Sequence, residues 1–97
     1  MPLEEFLKTL IEENGAAYRR SERITVFGNH LSVFFIKGKE LQTVLSGMQP
    51  EIADLKRQGV TYRLELVDQG GIRMEILANR ADILDRAHRY LLTLEKK

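Results

Sequence analysis

The chain has 97 residues, 43% of them hydrophobic and 30% charged, with no cysteine and a formal charge of +1. This length fits one domain over residues 1–97, and the apolar fraction is too high for a disordered chain. The missing cysteines exclude a disulfide framework, an iron–sulfur cluster and a thiolate zinc site, and the near-zero charge excludes wrapping nucleic acid by bulk charge.

The start, Met1-Pro2-Leu3-Glu4-Glu5, has neither the basic opening nor the apolar run of a secretory signal. Val33–Ile36 is far short of the roughly 18 apolar residues of a membrane span. A cytoplasmic location away from membranes is the expectation. Charge is uneven along the chain. Residues 1–15 carry Glu4, Glu5, Glu12 and Glu13 against Lys8, whereas residues 16–39 carry Arg19, Arg20, Arg23, Lys37 and Lys39 against Glu22.

Leu3, Phe6, Leu7, Leu10 and Ile11 recur at helical spacing, and Asn14-Gly15 supplies a left-handed stop. The spacing predicts a helix over residues 2–13. Ile24–Phe27 and Leu31–Ile36 read as two strands around a Gly28-Asn29 turn. A two-residue loop pairs Val26 with Leu31, Ile24 with Val33 and Thr25 with Ser32, which keeps aliphatic and hydroxyl partners on separate faces. Phe27 and Phe34 then share the hydroxyl face. Leu41, Val44, Leu45, Met48, Ile52 and Leu55 form one helical stripe that survives Pro50. Residues 39–58 are therefore expected as one helix kinked at Pro50, or two in register, stopped by Gly59.

The second hairpin carries more constraints. Val60, Tyr62, Leu64 and Leu66 alternate with Thr61, Arg63 and Glu65, and Ile72, Met74 and Ile76 alternate with Arg73, Glu75 and Leu77. A three-residue loop Asp68-Gln69-Gly70 pairs Leu66 with Ile72, Leu64 with Met74 and Tyr62 with Ile76. The same register sets Glu65 opposite Arg73 and Arg63 opposite Glu75, two favourable cross-strand pairs. Asn79 reads as the N-cap of a last helix over residues 80–95. Ile83, Leu84, Ala87, Tyr90, Leu91 and Leu94 form its inner stripe, with Leu92 facing outward. Gly15-Ala16-Ala17-Tyr18-Arg19 resembles Gly59-Val60-Thr61-Tyr62-Arg63, which is compatible with a duplicated helix–hairpin unit but also with coincidence.

The expected fold is α+β: a four-stranded antiparallel sheet made of two β-hairpins, with three helices on one face in the order α-ββ-α-ββ-α. The apolar stripes named above, without Met48, Val60 and Tyr90 but with Ile24, Val26, Leu31, Val33 and Phe35, form the expected core.

Catalytic constellations are sparse. His30 and His88 lie far apart without metal-ligand spacing, and Ser21, Ser32 and Ser46 sit in no nucleophile motif. Gly70-Gly71 lacks the Lys-Ser/Thr of a phosphate loop. No catalytic residue, cofactor or metal is expected, and the chain is read as a non-enzyme. Three helices on one face leave the other open, with Phe27, Phe34, Ile36, Val67 and Leu77 among polar residues. The expected function is a protein–protein interaction or adaptor module, homodimeric through that face. Its interaction residues are Phe27, Phe34, Ile36, Leu77 and Leu92, and its partner is a second copy or another protein. The alternative is a single-stranded nucleic-acid-binding domain, using the Arg19, Arg20 and Arg23 loop with Arg63, Arg73 and the sheet aromatics.

Overall fold

The computed structural model describes residues 1–26 and 29–95. Helix α1 (Leu3–Lys8) continues into a wider π-helical turn over Thr9–Glu13. The Asn14 N–H donates to the Thr9 carbonyl, and the Ala16 N–H reaches back to that of Leu10, each at 3.1 Å. Gly15 closes the turn in the left-handed region, at φ +72°, the conformation that its place after the last apolar residue predicts. Leu3, Phe6, Leu7 and Leu10 are buried.

Four strands follow the antiparallel order β1-β2-β4-β3, with β1 Tyr18–Ile24, β2 His30–Phe35, β3 Val60–Leu66 and β4 Ile72–Ala78. The second hairpin has the expected register at every pair: Leu66 faces Ile72, Glu65 faces Arg73 and Arg63 faces Glu75. Gly70 takes the left-handed position at φ +79°.

The first hairpin differs. Its first strand is Tyr18–Ile24, so Ile24 pairs with His30, Arg23 with Leu31 and Ser21 with Val33. Thr25 and Val26, expected in the strand, lie beyond it; Phe27, expected at its end, and Gly28 of the expected turn lie outside the described residues. Val26, expected in the core, is 65% exposed. Ile24 shares a face with His30, not with Val33. The cause is the polar sequence of β1. Its inward side is Tyr18, Ser21 and Arg23; Tyr18 and Arg23 bond to the last helix, Ser21 bonds to Tyr18, and no aliphatic alternation is left to read.

Helix α2 (Gly38–Ser46) and helix α3 (Gln49–Arg57) replace the single kinked helix. The break falls at Gly47-Met48, where N–H groups turn back to Val44 and Leu45 at 3.0 Å. Pro50 therefore sits in the first turn of α3, where its missing N–H has no helical partner to lose. Leu41, Leu45, Met48 and Leu55 keep one buried stripe across the break. Helix α4 (Ala81–Glu95) buries Leu84, Ala87 and Leu91, with Ile83, Tyr90 and Leu94 packed at its margins. Asn79 precedes the capping position, and its side chain lies against Gly59.

The elements thus form two similar halves, α1-β1-β2-α2 and α3-β3-β4-α4. The central pair is β2 with β4, so Leu31 faces Ile76, Val33 faces Met74 and Phe35 faces Ile72. These six, all buried, form the floor of the core under the helices. Tyr18 meets Phe35 edge-on at 6.4 Å. Its hydroxyl donates to Glu95 Oε2 at 3.1 Å, while Arg23 Nε donates to Asp85 Oδ1 at 2.9 Å, so polar bonds hold α4 to β1. Leu66, expected in the core, is instead 76% exposed, at the end of edge strand β3.

Gly59 is left-handed at φ +84°, and a Cβ there would meet the Asn79 side chain at 2.6 Å; Gly15 has open space around it. Gly15→Ala is expected to lower stability by about 1 kcal/mol, the backbone cost alone, and Gly59→Ala by somewhat more because the Asn79 amide must also turn aside. Urea unfolding of the two variants measures the difference.

Candidate functional site

The face of the sheet away from the helices has β1 contributing Arg20, Glu22 and Ile24, and β2 contributing His30, Ser32 and Phe34. Next come Arg73, Glu75 and Leu77 of β4, then Thr61, Arg63 and Glu65 of β3. Successive side chains alternate between faces, so these twelve positions follow from register. No helix covers them among the described residues.

Glu75 is the centre of the face. It is only 7% exposed. Arg63 Nη2 donates to its Oε1 at 2.7 Å, His30 Nδ1 lies 3.0 Å from the same oxygen, and Arg73 Nη2 donates to Oε2 at 3.2 Å. Arg73 Nη2 also reaches Glu65 Oε2 at 2.6 Å. The Arg63 hydrogen bond is the main cause holding the Glu75 carboxyl below the usual carboxylate range, with burial opposing and His30 assisting. Both cross-strand pairs expected from the sequence are therefore made. His30, outside both expected strands of the first hairpin, stands on β2 beside them. Only the β2–β4 register brings it there, and no local sequence signal carries that pairing.

Ser32 lies between Glu22 and Glu75 in the ladder. It is fully buried, and its Oγ, like Arg73 Nε, has no hydrogen-bond partner among the described residues. Phe34 is half-buried, with the Arg20 guanidinium 4.0 Å above its ring, a cation–π contact. Arg20 also pairs with Glu22.

The expected interaction residues divide into groups. Phe34 and Ile36 come together with Arg19 and Val67 around a shallow hollow of about 230 Å³, and Ile36 is 52% exposed. Leu77 sits at the other end of β4, opposite Thr61 and His30. Leu92 is exposed, but it belongs to α4, in the helical layer behind the sheet. Phe27 lies outside the described residues. Of the arginines expected to meet nucleic acid, Arg20, Arg23, Arg63 and Arg73 are all engaged by carboxylates. Arg19 makes no ion pair among the described residues.

Behind the sheet, an apolar cavity of about 320 Å³ opens between α1, α3 and the β3–β4 hairpin, walled by Leu3, Phe6, Ile52, Leu55, Val60, Tyr62, Met74 and Ile76. Lys56 and Thr61 add polar groups to its wall. Burial there pushes the Tyr62 hydroxyl above its ordinary value. Among the described residues, no group of three or more His, Cys, Asp or Glu side chains is placed to hold a metal ion, and no helix is long and apolar enough to cross a membrane. No protein-family model matches the chain, and comparison with curated proteins and with solved structures gives no match.

Because the Glu75 value is depressed in the folded state, its stabilisation is complete above the ordinary value of about 4.3 and is lost as the pH falls through the lowered one. Glu75→Gln is expected to cost about 1–3 kcal/mol at pH 7, since it weakens charge-assisted bonds to a buried carboxylate, and little at a pH below the lowered value. Urea titrations at both pH values test this; an equal deficit at the two would assign the loss to shape, not charge.

Proposed function

We propose that the protein is a non-enzymatic association module whose uncovered sheet face docks on a second copy of the chain. The supporting observation is the charge pattern of that face. Arg20, Arg63 and Arg73 alternate with Glu22, Glu65 and Glu75, so the face sums to neutrality while presenting both signs. A two-fold contact opposes a surface to itself, and such a pattern lets each arginine meet a carboxylate of the other copy. Phe34 with Ile36 supplies the apolar anchor at one end. The same neutrality disfavours a polyanion, because the arginines that would neutralise phosphates are already held by glutamates and an aspartate.

Sedimentation equilibrium at micromolar concentration is expected to give the mass of two copies. Ile36→Glu, at an exposed position, and Phe34→Glu are each expected to weaken association at least tenfold. A mass of one chain, or an association constant that neither variant moves, rules the reading out. Titration with a single-stranded oligonucleotide at low salt is expected to be flat; binding that weakens steeply with salt would favour the nucleic-acid alternative.

A further inference from the structure

The two borders of the sheet are unlike. Strand β1 shifts register between Tyr18 and Arg20, and its Arg23 side chain is bonded to Asp85 of α4 and to the Ile24 carbonyl. Irregularity and charge of this kind blunt an edge. Strand β3 has no such irregularity, and its two exposed charges, Arg63 and Glu65, are of opposite sign. It pairs with β4 without a break from Val60 to Leu66, and Leu66 is 76% exposed.

The direction of the β3 backbone groups follows from one bond. The Val67 N–H donates to the Gly71 carbonyl at 3.0 Å, so Val67 and Gly71 are a bonded pair. Bonded pairs alternate along an antiparallel ladder. Glu65, Arg63 and Thr61 therefore turn their N–H and C=O toward β4. Leu66, Leu64, Tyr62 and Val60 turn theirs to the free border.

A second β3 can meet these groups antiparallel about a two-fold axis, and the side chains select the register. Centring the axis on Arg63 opposes Arg63 with the partner's Arg63. Centring it on Glu65 opposes two carboxylates. Centring it on Leu64 sets Arg63 against the partner's Glu65, twice by symmetry, on the open face. On the helix face it sets Leu64 against the partner's Leu64, and Tyr62, in the wall of the apolar cavity, against the partner's Leu66. Arg63 and Glu65 keep 72% and 60% of their side-chain surface exposed in the single chain, so both can take a second partner.

We propose that β3 is a self-pairing edge: two copies join antiparallel about Leu64, giving one continuous eight-stranded sheet. The proposal rests on the β3 backbone and the order Tyr62-Arg63-Leu64-Glu65-Leu66, not on occupation of the open face.

The test uses the absence of native cysteine. Single variants Leu64→Cys and Leu66→Cys are oxidised mildly at micromolar concentration, and the disulfide-linked dimer is followed over time. Leu64→Cys is expected to cross-link at least tenfold faster than Leu66→Cys, although Leu66 is the more exposed side chain. The two copies of position 64 face each other in the proposed register, whereas those of position 66 stand far apart. Equal rates, or a faster Leu66→Cys, overturn the proposal. Amide exchange of the unmodified chain checks it without a variant. The Tyr62, Leu64 and Leu66 amides are expected to be protected at high protein concentration and to lose protection on dilution. Rapid exchange of all three where sedimentation shows a dimer overturns it. Leu66→Pro removes one outward N–H while leaving the β4 ladder intact, and is expected to abolish the protection. If Ile36→Glu and Phe34→Glu disrupt the dimer but Leu66→Pro does not, the contact is through the face and the edge proposal fails. The reverse pattern supports the edge and removes the face reading.

Discussion

The pairing of β2 with β4 is the contact on which the rest of the molecule depends. Each hairpin alone is a two-stranded ribbon with one greasy side, marginal in water. Joined through Leu31–Ile76, Val33–Met74 and Phe35–Ile72, the two make a sheet wide enough to floor a core that all the helices share. Burying such side chains contributes about 1.5–3 kcal/mol each, so this seam concentrates much of the available stabilisation. It is also non-local, joining strands about forty residues apart, and its closure entropy must be overcome before the core can form.

The same seam organises the opposite face. By bringing β2 beside β4 it sets His30 against Glu75, which would otherwise have only its two arginines. A carboxylate so nearly buried needs several donors to offset its lost hydration, and the seam provides one of them. Apolar packing below and charge pairing above are thus two results of one register.

What was legible in the chain follows from how local each determinant is. The second hairpin is a short-range object: the Gly70 turn, the apolar alternation and two opposite-charge pairs agree on one register, and the structure has it. The last helix and the first likewise announce their buried stripes. The first hairpin was misleading because Ile24 and Val26 mimic a strand, while the true β1 is Tyr18-Arg19-Arg20-Ser21-Glu22-Arg23-Ile24. An edge strand with one face open and the other bonded to α4 by Tyr18 and Arg23 needs no aliphatic alternation. Pro50 was visible as a discontinuity, but whether proline kinks a helix or begins one depends on where the preceding turn ends, here at Gly47-Met48. For the site, the charge pairs could be read from the hairpin. The cation–π cover over Phe34, the placement of His30 and the separation of Leu92 from the sheet face required the tertiary arrangement.

The irregular start of β1 has a consequence for the size of anything built from this sheet. A regular border is a template: each added strand presents a fresh border like the one it covered, and growth has no natural end. The register shift between Tyr18 and Arg20 denies that template on one side. The sheet therefore has unlike borders, and under the proposed β3 pairing only one of them would accept a neighbour. Assembly through β3 pairing would then stop at two sheets, which separates a countable oligomer from a fibre.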